Sequence, residues 1–317
     1  MISIKADLDI IIPCYNAKET LFNTLASISI QKSAPKFKVY LINDKSDYDY
    51  QDEINNFSDV LDIEEIKLDT NLGPGGARRE GINRSNSDYI MFIDSDDLLY
   101  NCYSVRNLYQ AVQGYDLCIS DFIFERDGVR VVKQRNKIWL HGKIYKRSFL
   151  EQYNINFNDT RANEDNGFNR LVLLMNPKIK YLNKITYVYR ENSNSITRAN
   201  NREYMISGLE GFAFNMKWAM DEALKRGADK EVISMLSTSV LVSMYYDYLY
   251  TINESNNKDI LKYSKIIMPY YLEYDKVSND FLDSCFKYKE GVLEEEDKHY
   301  DKVVTFDEFI RMVQNYD

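Results

Sequence analysis

Three carboxylates stand within four residues at the end of one apolar run, in the segment Asp94-Ser95-Asp96-Asp97. Carboxylates this close together at the end of a buried strand repel one another, and a divalent cation is the usual means of relieving that repulsion. Asp94 and Asp96 are two residues apart on an extended chain, so they could share one hard cation with the oxygens of a diphosphate. We therefore predict metal binding at Asp94 and Asp96, with Mn²⁺ or Mg²⁺ as the cation. For Asp97 a second interpretation is equally open, in which it caps a helix that begins near Leu98.

Three other apolar runs are also followed by residues that could bind a ligand. Pro13 and Tyr15 follow the first run, Asp44 follows the second, and the glycine-rich segment 71–79 follows the third. Glycines that precede a helix can cradle a phosphate. The segment has no Gly-Lys-Ser/Thr pattern and no GxGxxG motif follows the first run, which argues against a kinase-type or dinucleotide-binding site. Arg78 and Arg79 are candidates for a contact with a base or a phosphate.

The elements that must position these residues alternate between strands and helices. The predicted strands are Ile10–Ile12, Val39–Ile42, Ile63–Leu68 and Tyr89–Ile93, and the predicted helices between them are Lys18–Gln31, Tyr48–Phe57 and Gly75–Arg84. Repeated strand-helix-strand units imply right-handed crossovers and a mostly parallel, Rossmann-like α/β sheet. Such sheets bind ligands at the carboxyl ends of their strands. The four strand ends are therefore expected to form one site.

The second half of the chain changes character. An apolar run at Asp116–Glu125 is followed by the hairpin signal Asp127-Gly128 and the β-branched segment Val129–Val132. Three later segments have helical periodicity, namely Met205–Lys225, Lys230–Tyr250 and Lys258–Tyr271. The capping box Thr305-Phe306-Asp307-Glu308 predicts the start of a last helix. We predict a catalytic domain at residues 1–203. A helical domain at residues 204–317 is expected to bind the acceptor or to form a homo-oligomer.

Composition narrows the class of protein. The formal net charge of the 317 residues is −9, which argues against a broad nucleic-acid-binding surface. No apolar signal-peptide core is seen at the N-terminus, and the most apolar later stretch, Ile233–Ile252, is too interrupted by polar residues to span a membrane. Four scattered cysteines indicate reduced thiols. The expectation is a soluble cytoplasmic protein without an integral membrane segment.

Taken in order, these segments resemble the motifs of glycosyltransferase family 2, whose members have the GT-A fold. The matching segments are Asp9–Asn16, Asn43-Asp44 with Ser46, Asn71–Arg78, Phe92–Asp97, Gly142–Arg147, Asn163-Glu164-Asp165, and Tyr189-Arg190 followed by Ser195-Ile196. They cover about residues 8–198, so the helical part lies outside the resemblance. The resemblance implies an inverting transferase that uses a nucleotide-sugar donor and a divalent metal.

The resemblance also implies a role for individual residues. Tyr15 would stack on the nucleotide base, and the backbone beside Pro13 together with Asp44 would hydrogen-bond that base. Arg78 would face the base or the phosphates, Asp94 the ribose and the metal, and Asp96 the metal. The other predicted donor-binding residues are Gly73, Ser95, His141 and Arg190. Two departures weaken the transfer. The third protein ligand to the metal in this family is often a His, but this chain has only two histidines, and only His141, for which binding and packing are equally open, lies inside the matching region. Arg79 stands where many relatives have Asn. His299 is expected to be a surface residue.

Asp165 is the predicted general base. It stands at the start of a helix expected to run to about Met175, where the helix dipole favours an ionised carboxylate. Such a carboxylate can take the proton of an acceptor hydroxyl as that hydroxyl attacks the anomeric carbon. Glu164 is given a supporting place, and the simpler alternative for both acids is ordinary negative charge at a helix start.

Two other functions remain open at this point. A metal-dependent nucleotidyltransferase also combines carboxylates with a glycine-rich loop, but usually near the first strand. A catalytically inactive sugar-nucleotide-binding or scaffold module would not need Asp94, Asp96 and Asp165 together. The donor is expected to be a UDP-sugar, because a carboxylate can accept the uracil N3–H. The acceptor is expected to be a polysaccharide, a glycan or another hydroxyl compound, with modified DNA a minority choice.

Overall fold

A computed structural model describes residues 5–126, 128–190, 202–250, 257–273, 277–295, 300 and 302–316. The chain divides into two compact units, Met1–Arg198 and Ala199–Asp317. Residues 191–201 lie outside the described ranges, so the domain boundary at residues 203 and 204 stays a prediction. Each unit is described by itself.

The first unit is an α/β structure, as predicted. Its strands are β1 (Leu8–Cys14), β2 (Phe37–Asn43), β3 (Ile63–Lys67), β4 (Tyr89–Phe92), β5 (Leu98–Leu99), β6 (Leu117–Arg126), β7 (Val129–Lys133), β8 (Lys143–Lys146) and β9 (Ile179–Tyr189). Its helices are α1 (Leu21–Ser29), α2 (Gln51–Asn55), α3 (Gly73–Arg84), α4 (Ser104–Val112), α5 (Arg147–Gln152) and α6 (Glu164–Leu174). The four predicted strands and the three helices between them are confirmed. The prediction that a helix begins near Leu98 was wrong, because β5 occupies that position and α4 begins only at Ser104.

The described strands form one sheet in the order β3-β2-β1-β4-β8-β6-β9-β5, with β7 paired to β6. Strands β1 to β4 pair in parallel, so this half of the sheet matches the prediction. The other half is mixed, since β8 runs antiparallel to both β4 and β6 while β9 runs parallel to β6. The register places Cys14 opposite Asn43, which brings the ends of β1 and β2 side by side.

The core of this unit lies around the central strand β1. Leu8, Ile10, Ile11 and Ile12 are fully buried, as expected for a parallel strand that is covered on both faces. On one face Leu21, Leu25 and Ile28 of α1 are buried in the same cluster as Ile10 and Ile12. A rigid strand packed in this way fixes the positions of the residues that follow it.

The second unit is helical in its described residues. Its helices are α7 (Arg202–Lys225), α8 (Lys230–Tyr250), α9 (Asn257–Glu273), α10 (Asn279–Glu295) and α11 (Phe306–Gln314). The predicted capping box is confirmed, because the Thr305 side chain accepts from the backbone N–H of Glu308 while the Glu308 carboxylate accepts from the backbone N–H of Thr305. Helix α10 was not predicted. Across the described ranges, no helix combines the length and the apolar character needed to cross a bilayer.

Candidate active site

The first strand ends in a loop that presents an aromatic side chain to solvent. Pro13 is partly buried within β1, and Tyr15, just beyond the strand, is 54% exposed. Asn16 adopts a left-handed backbone with φ 49° and is held by the loop after β2, since its N–H donates to Ser46 Oγ at 3.0 Å. The backbone next to Tyr15 is thereby held at the edge of the sheet, while more than half of Tyr15 is exposed to solvent.

Asp44, at the end of β2, is bound to the glycine-rich turn. One carboxylate oxygen accepts from the Leu72 N–H at 2.7 Å and the other from the Gly73 N–H at 2.8 Å. Gly73 has φ +76°, a left-handed conformation that favours glycine. Burial raises the pKa of Asp44, and the two N–H donors oppose that rise. The Asp44 carboxylate therefore already accepts the N–H groups at the start of α3 that the sequence suggested could cradle a phosphate.

A glycine in the same turn permits two distant helix starts to meet. A Cβ on Gly75 would lie 2.9 Å from Glu164 Cγ and 3.2 Å from the backbone oxygen of Asn158. Contacts this short would force backbone to move, so only glycine fits without rearrangement. The start of α3 is thereby held against the start of α6, where the predicted base lies.

Arg78 links two acid clusters, one at Asp94–Asp97 after β4 and one at Glu164-Asp165 in the first turn of α6. Its guanidinium donates to Asp94 Oδ1 at 2.6 Å and to Glu164 Oε1 at 2.7 Å, and the residue is only 5% exposed. Burial alone would lower the pKa of Arg78, but the charges of Asp94 and Glu164 outweigh burial and raise it. Burial alone would raise the pKa of Asp94, but the charge of Arg78 outweighs it and holds that pKa below its ordinary value. Both partners are therefore charged at neutral pH.

Arg79, the next residue, has a different environment. Its guanidinium pairs with Asp159, whose side chain is 85% exposed. The two adjacent arginines thus divide into one buried in the site and one near the surface.

Asp97 is part of the site and does not cap a helix. It is 1% exposed, accepts from the Tyr187 hydroxyl at 2.7 Å and accepts from the Arg190 N–H at 2.8 Å. Tyr187 Oη also accepts from the backbone N–H of Asp94 at 3.1 Å, so this ring ties the two acids together. Burial raises the pKa of Asp97 well above its ordinary value, and the nearby charges of Asp94 and Asp96 add to that rise.

His141 lies beside the same acids and is 7% exposed. Its Nδ1 is 3.7 Å from Asp97 Oδ2 and has no hydrogen-bond partner among the described residues. Burial lowers the pKa of His141 to about 4, so the imidazole is neutral at pH 7 and its lone pair can bind a cation. The ring also packs against Phe122, Tyr187 and Tyr189, so packing holds the imidazole in place while Nδ1 stays available to a ligand.

These side chains offer a donor set that suits a divalent metal. Asp94, Asp97 and His141 each present one ligand atom, and the three atoms lie within 4.8 Å of one another. Two carboxylates and a neutral imidazole are ligands that Mn²⁺ accepts. Asp96, a predicted ligand, is partly buried and does not belong to this group within the described residues.

Asp165 lies in the first turn of α6, as predicted. Asn163 begins this helix in a left-handed conformation with φ 59°, and one Asp165 carboxylate oxygen accepts from the Asn166 N–H at 2.8 Å. Burial raises the pKa of Asp165, and the charge of Arg78 opposes that rise. Glu164 is 7% exposed and points to Arg78, so its contribution is more than helix-start charge.

The remaining predicted residues lie around the two acid clusters. The backbone oxygen of Ser95 accepts from Thr24 Oγ1 at 3.0 Å, and Arg190 reaches Asp97 through its N–H. Sequence reasoning missed Tyr187, which lies inside a strand and matches no motif. It also missed Lys143, a fully buried lysine whose ammonium donates to the Trp139 carbonyl and lies near Asp165. For Lys143 the available signal was its place in the matching segment Gly142–Arg147.

Known proteins are similar to this chain in sequence and in fold. Residues 9–163 match the family model for glycosyl transferase family 2. Glycosyltransferase GlyA of Streptococcus pneumoniae is 28% identical over 233 residues, which cover 62% of this chain and 32% of GlyA. This chain thus spans about a third of the length of that relative.

Two solved structures share the fold. Staphylococcus aureus TarS 1–349, solved with UDP-GlcNAc, has a TM-score of 0.71 at 17% identity, covering 99% of this chain and 91% of TarS. The mannosyltransferase PcManGT from Pyrobaculum calidifontis, solved with GDP-Man and Mn²⁺, has a TM-score of 0.56 at 11% identity, covering 98% of this chain and 87% of PcManGT. The predicted GT-A fold is confirmed. Residues 9–163 thus form a glycosyl transferase family 2 domain within the first unit of this chain.

Proposed function

We propose that the chain transfers a sugar from a UDP-sugar to an acceptor hydroxyl, with inversion at the anomeric carbon and with Asp165 as general base. The observation that carries the proposal is the buried Arg78, which joins Asp94 at the end of β4 to Glu164 at the start of α6. Arg78 thereby holds Asp94, which is predicted to face the donor, close to the first turn of α6, which carries the predicted base Asp165. In-line displacement needs the donor and the base in a fixed relation.

The base-binding residues support a uridine nucleotide. Tyr15 offers an exposed ring for stacking, and Pro13 lies on the same strand end. Each Asp44 oxygen accepts one backbone N–H, and a carboxylate oxygen has a second lone pair with which Asp44 can accept the uracil N3–H. TarS was solved with a UDP-sugar, which favours the same base here.

A divalent cation fits the proposed site. Asp94 is common to the predicted pair with Asp96 and to the group with Asp97 and His141, so we assign Asp94 as a ligand in either arrangement. When bound, Mn²⁺ or Mg²⁺ would neutralise charge on the departing nucleoside diphosphate. The protein holds Asp94 ready for this, because Arg78 keeps its carboxyl ionised.

Asp165 of this chain can receive the proton that the acceptor hydroxyl loses. Asp165 accepts the proton of the acceptor hydroxyl on its carboxylate while the oxygen attacks the anomeric carbon. Its raised pKa makes it a better base than an exposed aspartate would be. The charge of Arg78 opposes a further rise of that pKa and so favours the ionised carboxylate.

The reaction type can be tested with a set of nucleotide sugars. Release of the nucleoside diphosphate from one donor supports sugar transfer. Release of pyrophosphate from a nucleoside triphosphate and a sugar phosphate would instead show a nucleotidyltransferase. No turnover with any donor, despite measurable binding, would show an inactive module.

Metal removal should abolish turnover. With excess EDTA we expect no release of nucleoside diphosphate, and added Mn²⁺ or Mg²⁺ should restore it, because the charged leaving group needs a counter-ion. Metal-dependent donor binding should be compared between Asp96→Asn and His141→Phe. The variant with the weaker binding identifies whether Asp96 or His141 binds the metal together with Asp94. Unchanged turnover in EDTA would contradict the metal assignment.

The nucleotide preference should follow the uracil ring. UDP is expected to compete with the donor more strongly than GDP, since Asp44 can accept from uracil N3–H and Tyr15 can stack on the ring. Tyr15→Ala should weaken UDP binding by about 10-fold, within the ~1–3 kcal/mol found for base stacking on aromatic side chains. Phe22→Ala, at an exposed ring on α1, is the matched control. Stronger competition by GDP would show that the base pocket is misassigned.

A further inference from the structure

The hairpin of β6 and β7 exposes apolar side chains on both of its faces. Val129, Val131 and Val132 are 58%, 43% and 46% exposed. Alternate residues of a strand point to opposite faces, so the exposure of both Val131 and Val132 means that the described residues cover neither face of β7. Among the described strands, β7 pairs with β6 alone. Bare β-branched side chains on an edge strand favour association, and a protein normally avoids them.

The same hairpin is strongly basic in an acidic protein. Residues 123–137 include five Lys or Arg and two acids, whereas the whole chain has a net charge of −9. Arg130 pairs with Glu125. Arg135 donates to the amide oxygen of Asn183 at 3.2 Å, and Lys137 lies 5.9 Å from the centre of the Tyr181 ring. An amide and an aromatic ring hold these two cations without cancelling their charge.

We propose that the β6–β7 hairpin and the segment after it, through the described residues 123–126 and 128–137, bind the surface of an anionic phospholipid bilayer. Exposed valines can enter the boundary between headgroups and acyl chains, while the lysines and arginines remain at the anionic headgroups. A soluble polyanion would use the cations and leave the valines in water. The combination of the two kinds of side chain on one hairpin therefore favours the bilayer.

Strand register relates this hairpin to the candidate site. Phe124 pairs with Val131 on one side and with Tyr189 on the other, and Phe122 pairs with Lys133 and Tyr187. Paired residues share a face of the sheet, so Val131 lies on the face from which Tyr187 reaches Asp97. A bound hairpin would hold that face close to the bilayer. The proposal itself does not depend on the proposed function, because lipid binding is measured without substrate.

Vesicle co-sedimentation of the full chain tests the proposal. Binding is expected to vesicles of phosphatidylcholine with phosphatidylglycerol, to be weak with phosphatidylcholine alone, and to fall as salt is added. Lys133→Gln and Arg135→Gln should each weaken binding by about fivefold. The combined change Val129→Ser, Val131→Ser and Val132→Ser should weaken it by at least about tenfold, given the apolar area removed.

Matched variants separate the hairpin from the rest of the surface. Val60→Ser, Val232→Ser and Val303→Ser, at exposed valines elsewhere, should leave binding unchanged. Circular dichroism and unfolding curves would show that each variant is folded. Binding to neutral vesicles that equals binding to anionic vesicles would overturn the proposal. Unchanged vesicle binding by the variant with all three hairpin valines replaced by serine would also overturn it. So would self-association without lipid that the hairpin valine variant removes, since the hairpin would then bind a second copy of the chain.

Discussion

Asp165→Asn should lower the rate of sugar transfer by about two to four orders of magnitude, the usual worth of a positioned general base. The amide keeps the size of the side chain and can still accept from the Asn166 N–H, but it cannot take a proton. Donor binding should stay near wild type, because the predicted donor contacts at Tyr15, Asp44 and Asp94 are unchanged. Single-turnover rates at saturating donor, with separate donor binding measurements, would distinguish the two effects.

Asp159→Asn is the matched control for this variant. Asp159 lies shortly before α6, and its 85% exposed side chain pairs with Arg79 outside the acid clusters. We expect near-normal turnover from it. Glu164→Gln is less suitable, because Glu164 is buried against Arg78 and its change would also disturb the fold. The product of the wild-type protein should have the opposite anomeric configuration to the donor. Retention of configuration, or near-normal turnover of Asp165→Asn, would place the base elsewhere.

Arg78→Met should lower the free energy of unfolding by about 3–5 kcal/mol, the cost of breaking a buried ion pair by removing one partner. Methionine keeps the length and much of the apolar contact of the side chain but cannot donate to Asp94 or Glu164. Two carboxylates, with side chains 26% and 8% exposed, would then lose the cation that compensates them. Urea unfolding at neutral pH measures the loss. Turnover should also fall in the fraction that remains folded, since Asp94 and the start of α6 lose their common link.

Arg79→Met tests the same chemistry one residue later. Its partner Asp159 is exposed, and exposed pairs contribute about 0–1 kcal/mol. The two variants remove the same charge from the same helix, so a large difference between them isolates the buried network. Equal, small losses for both would mean that Asp94 and Glu164 do not depend on Arg78.

The sequence alone predicted the first half of the fold because its signals are local. Short apolar runs separated by helical segments predict parallel strands, and the parallel order of β1 to β4 follows from the crossovers between them. The strand ends then had to lie along one edge of the sheet. Tyr15, Asp44, the turn at Gly73 and Asp94 were predicted together on that basis.

Motif order carried the prediction beyond the local signals. The segments from Asp9 to Ile196 resemble one family by their sequence alone, and the family model agrees over residues 9–163. In the mixed half of the sheet, the hairpin of β6 and β7 was predicted and is confirmed. Strands β8 and β9 were not predicted, because they pair with strands distant in sequence. Antiparallel insertions of this kind leave no local pattern.

The sequence by itself determined which residue types stand at each strand end, whereas the tertiary structure decided which of them are partners. Asp97 could cap a helix or lie buried in the site, and only the approach of Tyr187 and Arg190, 90 and 93 residues later, decided for burial in the site. The glycines at 73 and 75 could cradle a phosphate or permit close packing, and Asp44 and Glu164 fill the space around them. Arg78 could face a ligand or a carboxylate, and folding brought Glu164 to it. A hydrogen bond or an ion pair depends on distances of a few ångströms between side chains, and sequence spacing fixes such distances only within a single helix turn or strand pair.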